Sequence, residues 1–206
     1  MSQFIIGLTG GVAAGKSALA ARFAQRGAFI CDADQIAREV VVVGSPGLAE
    51  VVAAFGTGVL QPDGRLDRAA MRQRIFTETA AKRTLEAILH PRIRASMQAA
   101  CQAAAAVYAI AVIPLLAEAG RGAYAWLQRV LVIDVPVEQQ LARLLQRDGI
   151  DADLAREMIA AQASRAQRLA LADDIVTNTG PLHALDAMVA TLDARYRRLH
   201  TGVDRP

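Results

Sequence analysis

An apolar run, Phe4-Ile5-Ile6-Gly7-Leu8, gives way to glycines and small residues and ends in Lys16-Ser17. The eight residues Gly10-Gly11-Val12-Ala13-Ala14-Gly15-Lys16-Ser17 fit G-x-x-x-x-G-K-[ST] at every fixed position. This stretch constrains the fold more than any other, because it demands a strand, a loop and a helix in that order. Gly10 and Gly15 permit backbone conformations closed to other residues. Successive N–H groups can then turn inward as an anion-binding nest. A helix beginning near Lys16 adds its positive end. Lys16 is one of two lysines, with Lys82, in a chain whose other cations are arginines. A compact ammonium suits the β- and γ-phosphates of a nucleotide better than a planar guanidinium, and the Ser17 hydroxyl suits Mg²⁺. The stretch is thus expected to cradle the phosphates of a nucleoside triphosphate.

The remaining pattern predicts an α/β fold. Buried strands are expected at Phe4–Thr9, Ala28–Cys31, Val107–Leu116, Arg129–Val135 and Asp174–Thr179, with helices between them and a last helix over Leu182–Leu199. Alternation of this kind implies a five-stranded, mostly parallel sheet flanked by helices. Two intervals are too long for simple crossovers. Residues 35–106 are expected to form a helical substrate-binding subdomain, broken by turns at Gly44–Gly47, Gly56–Gly58 and Pro62–Gly64, and residues 137–173 a helical lid. The core is then 1–34, 107–136 and 174–206 of a single domain.

The formal net charge of +3 is too small to argue for nucleic acid, and no basic stripe with interleaved aromatics accompanies it. No apolar run reaches the length of a membrane span, and no basic segment precedes the short Phe4–Leu8 run, so neither a membrane nor a signal peptide is expected. Cys31 and Cys101 show no metal-ligand spacing and no disulfide framework; both are expected to be reduced and buried in a cytoplasmic protein.

Ligands of open α/β sheets bind beyond the carboxyl ends of the strands. The marked clusters fall there: Gly10–Ser17, Asp32 and Asp34, Pro114–Glu118, and Thr177-Asn178. An acceptor hydroxyl needs a carboxylate to orient it and take its proton, and Asp32 and Asp34 are the candidates. Asp32 has capping-box spacing with Gln35, so helix capping and a catalytic or Mg²⁺-holding role stand side by side. Arg143 and Arg147 lie four apart on a helical pattern with Leu141, Leu144 and Leu145 on its other face. Arg165 and Arg168 form a second such pair. Each pair can carry charge to transferring phosphates or form a solvated basic face. His90-Pro91 fits either a ligand contact or a turn before a helix. Glu118 fits substrate, Mg²⁺ or solvent, and Asp134 fits a strand-end turn.

The stretches GLTGGVAAGKS, DADQIAREVV, DGRLDRAAMRQRIF, LEAILHPRIR, VIPLLAE, VLVIDVP, QLARLLQRD and ADDIVTNTG occur in the order seen in the dephospho-coenzyme A kinases, which this chain resembles over roughly Ile5 to Gly180. The resemblance implies a P-loop kinase core and transfer of the ATP γ-phosphate to the ribose 3′-hydroxyl of dephospho-coenzyme A, the last step of coenzyme A synthesis. It assigns the base to Asp34, places Arg38, His90, Leu115 and Glu118 near the acceptor, and places Arg143 and Arg147 near ATP. Small-molecule substrates are the implied partners, and a monomer or weak homo-oligomer is expected. Where the family has Gly-Ser before Gly-Lys-Ser this chain has Ala13-Ala14, and Ala18 replaces a frequent Thr. A kinase acting on a nucleoside, shikimate or gluconate shares Lys16 and the lid without needing Asp34, Arg38 and His90-Pro91. A GTPase needs an Asn-Lys-x-Asp stretch, which is absent.

Overall fold

A computed structural model describes residues 4–202. It divides into two compact units, one of residues Met1–Cys31 and Ala100–Pro206 and the other of Asp32–Ala99.

In the first unit, apolar strands assemble the sheet. Strands β1 (Ile5–Gly10), β2 (Phe29–Asp32), β3 (Ala109–Val112), β4 (Arg129–Asp134) and β5 (Asp174–Thr177) run in the order β2-β3-β1-β4-β5. The β1–β3, β1–β4 and β4–β5 pairings are parallel. Every residue of β1 and β3 is buried, as expected of strands covered on both faces. Helices α1 (Lys16–Gln25) and α10 (Ala184–Thr201) pack on β1 and its neighbours through Leu19, Phe23, Leu185, Val189 and Tyr196. Phe23 stacks on Tyr196, and Tyr108 meets Tyr196 edge-on. Central β1, paired on both sides, thereby fixes where the Gly10–Ser17 loop leaves the sheet.

The third strand ends earlier than the apolar run suggests. Ile113 and Leu116 stay buried, but Pro114 lacks an N–H for a ladder and the chain turns into the short helix α6 (Leu116–Ala119). Residues 137–170 form α7 (Val137–Asp148), α8 (Ala152–Ala160) and α9 (Arg165–Ala170). Cys31 and Cys101 are buried and not joined in a disulfide, and the neighbouring Cys31 together with burial pushes the Cys101 thiol pKa up.

The second unit is helical: α2 (Ala33–Glu39), α3 (Pro46–Phe55), α4 (Arg68–Thr77) and most of α5 (Thr79–Ala103). Its core is Val41, Leu48, Val51, Val59, Leu66 and Met71. Of the two readings of His90-Pro91, the turn before a helix is not there, because both residues lie inside the 25-residue α5. Pro91 cannot donate to the preceding turn. The carbonyl left without its usual donor is that of Ala87, four residues back, while the Arg92 guanidinium donates to the next carbonyl, that of Ile88, at 3.1 Å.

Candidate active site

Gly15 caps α1 at φ 101°, ψ 24°, a left-handed conformation that directs the chain from loop to helix. A Cβ there would lie 2.6 Å from Asn178 Nδ2, so glycine is also required for space. No acidic residue stands in the first turn of α1, leaving its positive end unneutralised. Lys16 Nζ donates to the Gly10 and Gly11 carbonyls at 2.8 and 3.0 Å. Ser17 is exposed, and its hydroxyl makes no hydrogen bond among the described residues. Ala13, where the resembled family has glycine, sits at φ 55°; among the described residues no other non-glycine has positive φ. Holding alanine there costs on the order of 1 kcal/mol and marks the loop as strained.

The loop is held by side chains distant in sequence. Asn178, just beyond β5, donates through Nδ2 to the Ala14 carbonyl at 2.8 Å and is buried. Arg143 on α7 donates to the Asn178 carbonyl at 2.7 Å and the Ala13 carbonyl at 3.4 Å. Gln140, also on α7, is buried, with Nε2 on the Val135 carbonyl at 2.9 Å and Oε1 without a partner. That oxygen lies 2.5 Å from where a Cβ on Gly11 would stand, so only glycine lets the loop pass α7 here. Gln162, between α8 and α9, accepts from the Val12 N–H at 2.7 Å.

A second layer surrounds these contacts. Asp134, the last residue of β4, is buried and takes both Arg165 Nε and Nη2, at 2.8 and 2.7 Å. The Arg165 guanidinium holds its carboxyl below the usual carboxylate range. Asp134 is therefore the anchor of an ion pair and not a strand-end turn residue. Its side-chain oxygens face a guanidinium that fixes α9 against the sheet. Arg168 is buried, and burial lowers its pKa from the ordinary guanidinium value. Glu118 accepts from the Ala163 N–H at 2.7 Å. Arg147 does not join this network; it forms a bidentate pair with Asp148. Leu115 is half exposed at the start of α6.

The second unit holds the remaining candidates. Asp32 caps α2 by accepting from the Asp34 N–H at 2.8 Å. The capping box does not close, because Gln35 instead donates to Glu39 at 2.9 Å. The Asp34 carboxylate, the Arg38 guanidinium and the His90 imidazole are exposed and make no hydrogen bonds among the described residues. Arg38 also borders a hollow of about 680 Å³ lined by Val42, Val43, Arg65, Asp67 and Arg68.

Sequence reasoning placed the loop and both aspartates but gave no role to Gln140 or Gln162 and none of substance to Asn178. Asn178 was marked only by its position after a strand. Gln140 and Gln162 carry no local signal, since their partners lie more than a hundred residues away or in the backbone.

The dephospho-CoA kinase family model matches residues 4–184. A dephospho-CoA kinase of Xanthomonas oryzae pv. oryzae is 58% identical over 198 residues, spanning 96% of this chain and 98% of its own length. The structure of dephospho-CoA kinase from Campylobacter jejuni superposes with a TM-score of 0.71 at 26% identity, covering 98% of this chain and 99% of the other. A shikimate kinase from Bacteroides thetaiotaomicron, at TM-score 0.56 and 17% identity over 93% and 97% of the two chains, shares the fold. The chain belongs to the dephospho-CoA kinase family and phosphorylates dephospho-CoA, the final step of coenzyme A synthesis.

Proposed function

We propose that the chain transfers the γ-phosphoryl group of ATP to the ribose 3′-hydroxyl of dephospho-CoA, with residues Gly10–Ser17 as the phosphate cradle and Asp34 as the base. The observation that carries this reading is the Gly15–Lys16 junction, where a helix end without acidic neighbours and a lysine share one strained loop. Loop N–H groups and the Lys16 ammonium offset charge on the β- and γ-phosphates as the transferred group loosens from its leaving oxygen. The acceptor oxygen attacks the γ-phosphorus, the bond to the β-phosphate oxygen breaks, and the hydroxyl proton passes to Asp34. An exposed carboxylate without a competing hydrogen bond suits that task.

Ser17 offers a hard oxygen donor, and no group of three or more His, Cys, Asp or Glu among the described residues forms an all-protein cage. This donor set fits Mg²⁺, which binds through few protein oxygens together with water and phosphate. When bound, the ion supplies charge neutralisation on the phosphates. Asp32 keeps one carboxylate oxygen beyond its capping bond for a water-mediated contact. Arg143 serves by holding the loop carbonyls, and Arg38 and His90 serve the acceptor. Residues 137–173 act as the lid. No helix among the described residues is long and apolar enough to cross a membrane, and two buried cysteines outside any disulfide suit a cytoplasmic setting.

A coupled ADP-release assay with dephospho-CoA, shikimate, gluconate and nucleosides tests the reading, with mass and phosphorus spectroscopy of the product. ADP release with dephospho-CoA and a 3′-phosphorylated product are expected. Turnover of another acceptor with none of dephospho-CoA would overturn it.

A further inference from the structure

The Val12 N–H is one of the donors that a phosphate-binding loop turns toward its anion, and here it is taken. Gln162 Oε1 accepts from it at 2.7 Å, the length of a good hydrogen bond. Lys16 is meanwhile folded onto the carbonyls of Gly10 and Gly11. The Gln162 contact is not a loose surface encounter. The neighbouring Ala163 is held on both sides of its backbone: its N–H donates to Glu118 Oε1 at 2.7 Å, and its carbonyl accepts from Arg168 Nη1. Arg168 is itself buried, with Nη2 3.0 Å from where a Cβ on Gly11 would stand. The turn between α8 and α9 is therefore pinned by α6, by α9 and by the loop, all within the first unit.

We infer that Gln162 is a positioning residue whose amide oxygen stands in for a phosphate oxygen at the Val12 N–H and is displaced when a polyphosphate enters the loop. The inference rests on the reading of Gly10–Ser17 as the ATP cradle. A neutral amide oxygen is a weaker acceptor than a phosphate oxyanion, so the exchange favours the anion. Until the exchange occurs, Gln162 keeps the Val12 N–H bonded and the strained loop in shape. Its release frees one of the three pins of the α8–α9 turn, coupling nucleotide arrival to this segment. The cost of breaking the Gln162 bond is subtracted from the affinity for polyphosphate, as for any site whose competent state must first be populated. Nucleotide base has no part in the contact, so tripolyphosphate and ATP feel it alike.

The test is calorimetric binding of ATP and of tripolyphosphate to the wild-type chain, Gln162→Ala, Gln162→Glu and Lys16→Ala, with thermal midpoints recorded in parallel. Removing one hydrogen-bonded competitor predicts about two- to tenfold tighter binding of both ligands to Gln162→Ala. Gln162→Glu places a charged acceptor on the same N–H and predicts weaker binding of both ligands. In the wild-type chain, the Val12 amide resonance should shift on tripolyphosphate addition and also in Gln162→Ala. A purely structural glutamine predicts instead equal or weaker binding by Gln162→Ala, and that result overturns the inference while leaving the cradle intact. Absence of binding by the wild-type chain, or binding indifferent to Lys16→Ala, overturns the cradle and this inference together. If Gln162→Ala does not fold, the Gln162→Glu arm decides: binding as tight as wild type overturns the inference.

Discussion

Around Gly10–Ser17, the side chains of Asn178, Arg143, Gln162 and Lys16 all bond to the loop backbone. In the second unit, Asp34, Arg38 and His90 present exposed polar groups that bond to nothing among the described residues. The difference matches the two tasks proposed for them. Asn178 and Arg143 fix the loop beforehand, and groups so fixed need little reorganisation during the reaction; Gln162 holds its N–H only until a polyphosphate replaces it. A carboxylate that must receive a proton from an arriving hydroxyl has to remain accessible. If the proposed tasks are right, substitutions on the rigidly bonded side and on the open side should have different effects.

The largest expected effect is on the open side. Asp34→Asn keeps the shape and can still hydrogen-bond the hydroxyl, but it cannot take the proton. Steady-state kinetics with dephospho-CoA should show turnover lower by about 10²–10⁴-fold, with the thermal midpoint unchanged. Near-normal turnover would remove the distinction drawn for this unit. On the fixed side, Lys16→Ala should lower turnover by at least about a hundredfold with the fold intact. Lys16→Arg should fail as well, because a forked guanidinium does not replace a point charge in a tight nest. Activity in Lys16→Arg would show the loop to be looser than its hydrogen bonds imply.

Smaller effects should appear in stability. Asn178→Ala strands the Ala14 carbonyl and should cost about 1–3 kcal/mol, read as a lower thermal midpoint. No loss would mean that the loop does not depend on its distant ties. Asp32→Ala removes the cap of α2 and should cost about 1 kcal/mol. A turnover loss in Asp32→Ala rivalling that of Asp34→Asn would exchange the roles of the two carboxylates.

The sequence made the fixed side legible only where its residues are contiguous. Gly10 to Ser17 lie in one loop, and the physical demands on each position can be read from their spacing. The ties that hold the loop come from Asn178, Arg143 and Gln162, brought close by β5, α7 and the α8–α9 turn, and no local pattern records those contacts. Asp32 was legible as a cap because capping is a local interaction, although its expected partner Gln35 turned to Glu39. Strand β3 is shorter than its apolar run suggests, because Ile113 and Leu116 are as apolar and buried as ladder residues and apolarity alone does not reveal where hydrogen bonding stops. His90-Pro91 fits either a ligand contact or a turn before a helix in sequence, because proline is compatible with a helix start as well as with a break. Within α5, the helix continues through it for several turns on either side.

The central claim is that the phosphate site is complete before dephospho-CoA arrives and does not depend on Asp34. Calorimetry of ATP binding, with no dephospho-CoA present, addresses it directly in the wild-type chain, Asp34→Asn and Lys16→Ala. The account predicts that ATP binds the wild-type chain and Asp34→Asn with the same affinity and binds Lys16→Ala much more weakly. A requirement for dephospho-CoA before ATP binds, or an Asp34→Asn chain that loses ATP affinity along with turnover, would contradict it.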